Sequence, residues 1–142
     1  MERLSIKQVA KQLHISKDTL RYYDKLELVS PKRGENNYRY YTGEEVLDLQ
    51  YILILRFTGF TLPEISEFFQ YMKSCDADNF PLLLELIKKK KEKLVKRVIV
   101  FQSMIEYFNE IEVLLSSNSK ADVAKINSLA MKMFQEMKKV NP

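Results

Sequence analysis

The sequence predicts a predominantly α-helical fold: short helices and a small β-hairpin, then a long coiled-coil helix and a short C-terminal helix. Three observations predict it. Gly occurs three times and Pro four times in 142 residues, too few for long irregular stretches. Apolar residues recur at i, i+3, i+4, i+7 in segments that open on Ser or Thr, the signature of capped amphipathic helices. From Ile87 to Leu115 a seven-residue repeat runs without Gly or Pro.

Ser5 followed by Gln8 forms a capping box ahead of Ile6, Val9, Ala10 and Leu13, one stripe of a short helix. His14-Ile15 breaks that helix, and Ser16 caps a second whose inward residues are Leu20 and Tyr23. Two short helices joined by a tight turn make a helix-turn-helix. The second helix presents Lys17, Asp18, Arg21, Tyr22 and Lys25 outward, donors and aromatic surface that suit a major groove lined by phosphates. Residues 28–41 read as a hairpin, with Gly34 to Asn37 as the turn between a Leu-Val pair and a Tyr-rich strand. This is a wing, placing Lys32, Arg33 and Arg39 to meet a nucleic-acid backbone.

Thr42 with Glu45 starts a third helix bearing Val46, Leu49, Ile52, Leu53 and Leu55, which Gly59-Phe60 ends. Thr61 with Glu64 caps a fourth, where Pro63 is tolerated in the first turn and Ile65, Phe68, Phe69 and Met72 point inward. The polar stretch after it reads as a hinge. In the long helix Ile87, Leu94, Phe101, Phe108 and Leu115 lie seven apart, with Leu84, Val98 and Ile105 in the alternate row. Lys91 and Glu112 interrupt that second row. The repeat corresponds to a coil of roughly 50 Å, and nothing else in the chain is long enough to cover it, so its expected partner is a second copy. After Ser116–Ser119 a last helix carries Val123, Ile126, Leu129 or Ala130, Met133, Phe134 and Met137. The expected division is 1–73 (winged helix-turn-helix), 74–79 (hinge), 80–116 (coil) and 117–142 (C-terminal helix).

Apolar residues make up 46% of the chain, enough for a core, and the 30% charged residues favour solubility. A net charge of +4 is too small to diagnose a nucleic-acid partner, but residues 1–42 alone carry +4 and residues 43–72 carry −4. The first residues, Met1-Glu2-Arg3, lack the apolar run of a signal peptide, and no stretch of eighteen apolar residues could span a bilayer. A single Cys75 excludes an intramolecular disulfide, and the expected location is the cytoplasm. His14 is the only histidine, and no phosphate loop, nucleophile elbow or paired carboxylates stand out. An enzyme is not expected, nor is a cofactor.

Thr-Leu-Arg-Tyr-Tyr-Asp (19–24), Asn-Tyr-Arg-Tyr-Tyr (37–41) and Leu-Arg-Phe-Thr-Gly-Phe-Thr-Leu-Pro-Glu-Ile (55–65), followed by the long helix, resemble the MerR family of bacterial regulators. The resemblance covers about 1–115. It implies a DNA-binding homodimer joined by an antiparallel coil, an effector-sensing C-terminal segment, and action at promoters with RNA polymerase. Such dimers sit between promoter elements with an overlong spacer and distort the DNA, so bendability becomes part of specificity. By position it assigns Lys17 and Asp18 to the base-facing start of the recognition helix, and Arg21 and Tyr22 to phosphate and sugar; Thr19 beside them is a further DNA-binding candidate. Arg39 becomes the wing contact and Arg56 falls in a second wing region; Lys32, Arg33 and Tyr38 of the hairpin are further DNA-binding candidates. Dimerisation falls to Ile87, Leu94, Val98, Phe101, Ile105, Phe108 and Leu115. The family often has Gly where this chain has His14, Glu27 and Asn37. If those positions need positive φ, Glu is the poorest substitute, and the turn at Glu27 is expected to differ in shape.

Several features are weighed between a structural and a functional reading. Tyr23 is core rather than contact. Lys88–Lys91 is either a second nucleic-acid patch or a solvated coil face, and helical spacing scatters it around the axis. Cys75 is an inert hinge residue, a thiol-oxidation sensor, or half of a two-thiolate site for a soft ion; zinc wants about four ligands, so no metal site is assigned. The Met and Phe stripe of the last helix either lines a pocket for a small apolar effector or packs on a partner. The rival to a regulator is an architectural, chromosome-organising protein that uses the same winged helix without a switch.

Overall fold

The computed structural model describes residues 2–74, 76–117 and 122–140; Cys75 lies outside them, and so do its readings. The chain divides into two compact units, residues 1–80 and 81–142.

The first unit contains β1 (Leu4–Ser5), α1 (Ile6–Leu13), α2 (Lys17–Lys25), β2 (Lys32–Arg33), β3 (Arg39–Tyr41), α3 (Gly43–Phe57), α4 (Leu62–Ser74) and a 3-10 turn (Ala77–Asn79). The helix starts follow the capping residues. Ser5 Oγ accepts from the Gln8 amide at 3.3 Å, Ser16 Oγ from the Thr19 amide at 3.0 Å, and Thr61 Oγ1 from the Glu64 amide at 3.3 Å. The return halves of two boxes are also made: the Ser5 amide donates to Gln8 and the Thr61 amide to Glu64, each at 2.8 Å.

Three helix ends share one physical device. The amides of Ile15, Leu28 and Phe60 reach back to the carbonyls of Ala10, Tyr23 and Leu55 at 3.1, 3.0 and 2.9 Å. This closure requires a left-handed residue just before the donor, since the chain must reverse to satisfy the orphan carbonyls. His14 (φ 54°), Glu27 (φ 57°) and Gly59 (φ 99°) occupy those places. The turn at Glu27 therefore keeps the left-handed shape, contrary to expectation: the hydrogen bond from Leu28 to Tyr23 holds the backbone against the side chain's preference.

The wing is a three-stranded antiparallel sheet in the order β1-β3-β2, with Leu4 opposite Tyr41 and Arg33 opposite Arg39. Two features differ from the expected hairpin. Strand β1 was not anticipated, because two residues give no alternation to read. Leu28 and Val29, expected in the first strand, instead sit buried in the connection ahead of β2. The wing turn closes through the Gly34 amide to Tyr38 (3.1 Å) and the Asn37 amide to Gly34 (2.9 Å), with Asn37 at φ 58°. Val9, Leu20, Tyr41, Leu49, Ile52 and Ile65 are almost wholly buried and form the centre of this unit's core. Each large apolar side chain so buried contributes about 1.5–3 kcal/mol. Met72, expected inward, is 45% exposed.

The second unit consists of α5 (Phe80–Ser116), whose 37 residues extend about 55 Å, and α6 (Asp122–Val140). Ser117 donates its hydroxyl to the Asp122 carboxylate, tying the two ends together. The helix α6 folds back along α5: Glu110, Val113 and Leu114 face Lys125, Ser128, Leu129 and Lys132 across a cleft of about 330 Å³. Among the described residues no helix is long and apolar enough to cross a membrane.

Candidate nucleic-acid interface

Lys17, Arg21 and Asp24 lie at i, i+4 and i+7 on α2, so they form one stripe. Arg21 pairs with Asp18 one turn away at 2.7 Å, both exposed. Such an exposed pair contributes little to stability, so the guanidinium remains available to a stronger anion. Tyr22 is half exposed beside this stripe, whereas Tyr23 is buried in the core.

The wing is fixed to that stripe by one bond. Arg39 Nε on β3 donates to Asp24 Oδ2 at 2.7 Å, with side chains 32% and 18% exposed. Partial burial strengthens this charge-assisted bond relative to the Arg21–Asp18 pair. Arg39 is thus both a wing cation and the strut that orients the wing against α2. Beneath the joint lies Tyr41, 1% exposed, whose hydroxyl has no hydrogen-bond partner among the described residues. Burial pushes that phenol above its ordinary range, and the nearby Asp24 carboxylate adds to the effect while Arg39 and Arg21 oppose it.

The other wing residues lie outward. Tyr38 is 77% exposed. Arg33 reaches Asn37 Oδ1 at 3.4 Å, and Lys32 lies 3.9 Å from the Glu45 carboxylate. Glu45 is nearly buried at the start of α3. Burial raises its pKa, but the hydroxyl and amide of Thr42, together with Lys32, outweigh that and hold it below the usual carboxylate range. Thr19 is taken up in the Ser16 cap, its hydroxyl 2.8 Å from Ser16 Oγ. Arg56 donates to the Phe60 carbonyl at 3.2 Å, closing the α3–α4 turn, and Phe57 beside it is 89% exposed. Sequence reasoning missed two members of this surface. Asp24, fifteen residues from Arg39, gives no local signal of its pairing. Arg3, stacked 4.8 Å over the Tyr40 ring, lies ahead of the strand that was not foreseen.

In the second unit α5 has two apolar faces. Val100 is buried and, with half-buried Met104, Tyr107, Ile111 and Leu114, faces the side taken by α6. Ile87, Leu94, Val98, Phe101, Ile105, Phe108 and Leu115 are all open, Phe101 at 55%. The inward face of α6 is Ile126, Leu129 and Met133. Val123, Phe134 and Met137 lie about a quarter-turn away, are exposed, and are not among the walls of the α5–α6 cleft. That cleft lies on the opposite, lysine-bearing flank of α6, so the Met/Phe stripe turns toward the open side of α5.

The model of the MerR HTH family regulatory protein matches residues 4–72. The HTH-type transcriptional regulator YfmP of Bacillus subtilis is 32% identical over 97 residues, spanning 66% of this chain and 69% of that protein. The mercuric resistance operon regulatory protein of Bacillus cereus is 34% identical over 103 residues, spanning 68% and 77%. Among solved structures, HiNmlR, a MerR family regulator lacking the sensor domain and bound to promoter DNA, superposes with a TM-score of 0.68 at 25% identity. The match covers 90% of this chain and 96% of HiNmlR. A MerR family regulator from Bacillus cereus shares the fold, with a TM-score of 0.68 at 23% identity over 95% of this chain and 99% of that one. The chain belongs to the MerR family of helix-turn-helix regulatory proteins.

Proposed function

We propose that this protein is a transcriptional regulator that binds a pseudo-palindromic promoter site as a homodimer, distorts the promoter DNA and answers to an effector. The observation that carries this reading is the ion pair between Arg39 on β3 and Asp24 on α2, which joins the wing to the helix that presents Lys17 and Arg21. Preorganised cations on one surface bind a phosphate backbone without first ordering their supports. HiNmlR, with the same architecture, was solved on promoter DNA.

In this reading residues 1–73 bind DNA, 74–79 are the hinge, 80–116 form the coil and 117–142 the effector or packing helix. Lys17, Asp18 and Thr19 approach base edges. Arg21, Tyr22, Lys32, Arg33, Tyr38, Arg39 and Arg56 meet the backbone. The open row from Ile87 to Leu115 pairs with its copy, and the α6 stripe extends that seam. RNA polymerase is the partner at the promoter. Its role is binding rather than catalysis, in the cytoplasm.

Selection of bound DNA from a random pool tests the reading. A pseudo-palindrome is expected, because a two-fold protein presents two identical recognition helices to successive major grooves. Recovery of DNA without sequence preference would favour the architectural alternative and overturn the promoter-specific one.

A further inference from the structure

Two charges, Lys91 and Glu112, interrupt the otherwise apolar seam of α5. Resting on the homodimer reading above, we propose that Lys91 of each protomer pairs with the partner's Glu112, and that this pair sets the antiparallel direction and register of the coil.

The placement follows from positions along α5. Its first open row is Ile87, Leu94, Phe101, Phe108 and Leu115, symmetric about Phe101. If two copies run antiparallel with Phe101 at the two-fold axis, Ile87 meets the partner's Leu115 and Leu94 the partner's Phe108. In the same alignment the second row matches Val98 to the partner's Ile105, and Lys91 to the partner's Glu112. Lys91 and Glu112 stand about 15 and 16 Å on either side of Phe101, so the two pairs form symmetric layers.

Other arrangements treat these charges badly. A parallel in-register pair stacks Lys91 on Lys91 and Glu112 on Glu112. An antiparallel pair slipped by one heptad sets Lys91 against Ile105, or Glu112 against Val98, leaving a charge desolvated in an apolar layer. Flanking positions supply no competing opposite-charge pair: Lys88, Val95, Gln102 and Asn109 on one side, and Lys90, Arg97, Met104 and Ile111 on the other, include cations but no carboxylate. Within the protomer both side chains are exposed, and neither forms an ion pair among the described residues. A polar residue in a coil seam is a known device for fixing register.

The test is a charge exchange in the full chain, read by sedimentation equilibrium, with circular dichroism reporting that each variant stays helical. Lys91→Glu and Glu112→Lys, each placing like charges in two symmetric layers, should each weaken dimerisation by at least about tenfold. The double exchange should restore it to within about threefold of the parent. Only an antiparallel pair in this register predicts that rescue, since a parallel pair remains like-on-like in all variants. Single variants as tight as the parent, or a double variant no better than the singles, would overturn the pairing. A parallel Phe101→Lys measurement separates the two levels: a dimer abolished there but indifferent to the charge exchange sinks this inference alone, while one that survives both sinks the seam itself.

Discussion

Glu27 holds a left-handed conformation at φ 57°, which costs an ordinary L-residue about 1–2 kcal/mol. Glu27→Gly should relieve that strain, offset partly by the greater freedom of glycine in the unfolded chain, for a net gain of about 0.5–1 kcal/mol. Urea titration of the full chain measures it; an unchanged or lower midpoint would mean that Glu27 makes a compensating contact. His14, Glu27 and Asn37 were legible as special positions only because the family resemblance marks them as frequent glycines. Their φ values, 54°, 57° and 58°, supply the physical reason. Tyr41 was not legible in this way. Its buried hydroxyl lacks a partner among the described residues, and removing an unsatisfied group is neutral or stabilising, so Tyr41→Phe should leave stability unchanged or raise it by up to about 1 kcal/mol. A decrease of similar size would show that the hydroxyl is satisfied in solution.

At the scale of elements, helix starts were readable because a Ser or Thr followed three residues later by Glu or Gln encodes a local bond. The Thr42–Glu45 box adds a pH dependence. The folded pKa of Glu45 is depressed, so its contribution is present above the ordinary carboxylate pKa and lost as pH falls through the lower folded value. Thr42→Ala should therefore cost about 1 kcal/mol at neutral pH and less at low pH. A penalty that is the same at both pH values would deny the linkage. The wing was harder to read. Its third strand and the Arg39–Asp24 joint depend on residues far apart in sequence, where no periodicity helps. That joint divides two roles. Arg39→Ala should weaken binding to all DNA sequences and reduce the salt slope by about 0.9 log unit for each phosphate that the guanidinium neutralises. Asp24→Asn, which frees Arg39 without removing it, should weaken binding while the slope stays the same. Equal slopes for the parent and Arg39→Ala would show that Arg39 does not meet the DNA backbone.

For the whole molecule, the heptad series announced itself in the sequence, and the structure leaves that row open while α6 occupies another face of α5. The C-terminal stripe was only half legible. Its single run of apolar residues splits between an inward face at Leu129 and an outward one at Phe134, a division that depends on where α5 lies. The proposed regulator requires that two copies join through the open row, because one recognition helix and one wing cannot read two half-sites. Phe101→Lys tests this most directly, since the substitution brings two ammonium groups together at the two-fold axis. Burying an unpaired charge costs several kcal/mol, and truncating each Phe removes about 3–5 kcal/mol of core packing. Sedimentation should show a monomer, and a gel shift on the selected site should show only weak, salt-sensitive binding; a variant that stays dimeric and binds that site normally would contradict the dimer on which the regulator rests.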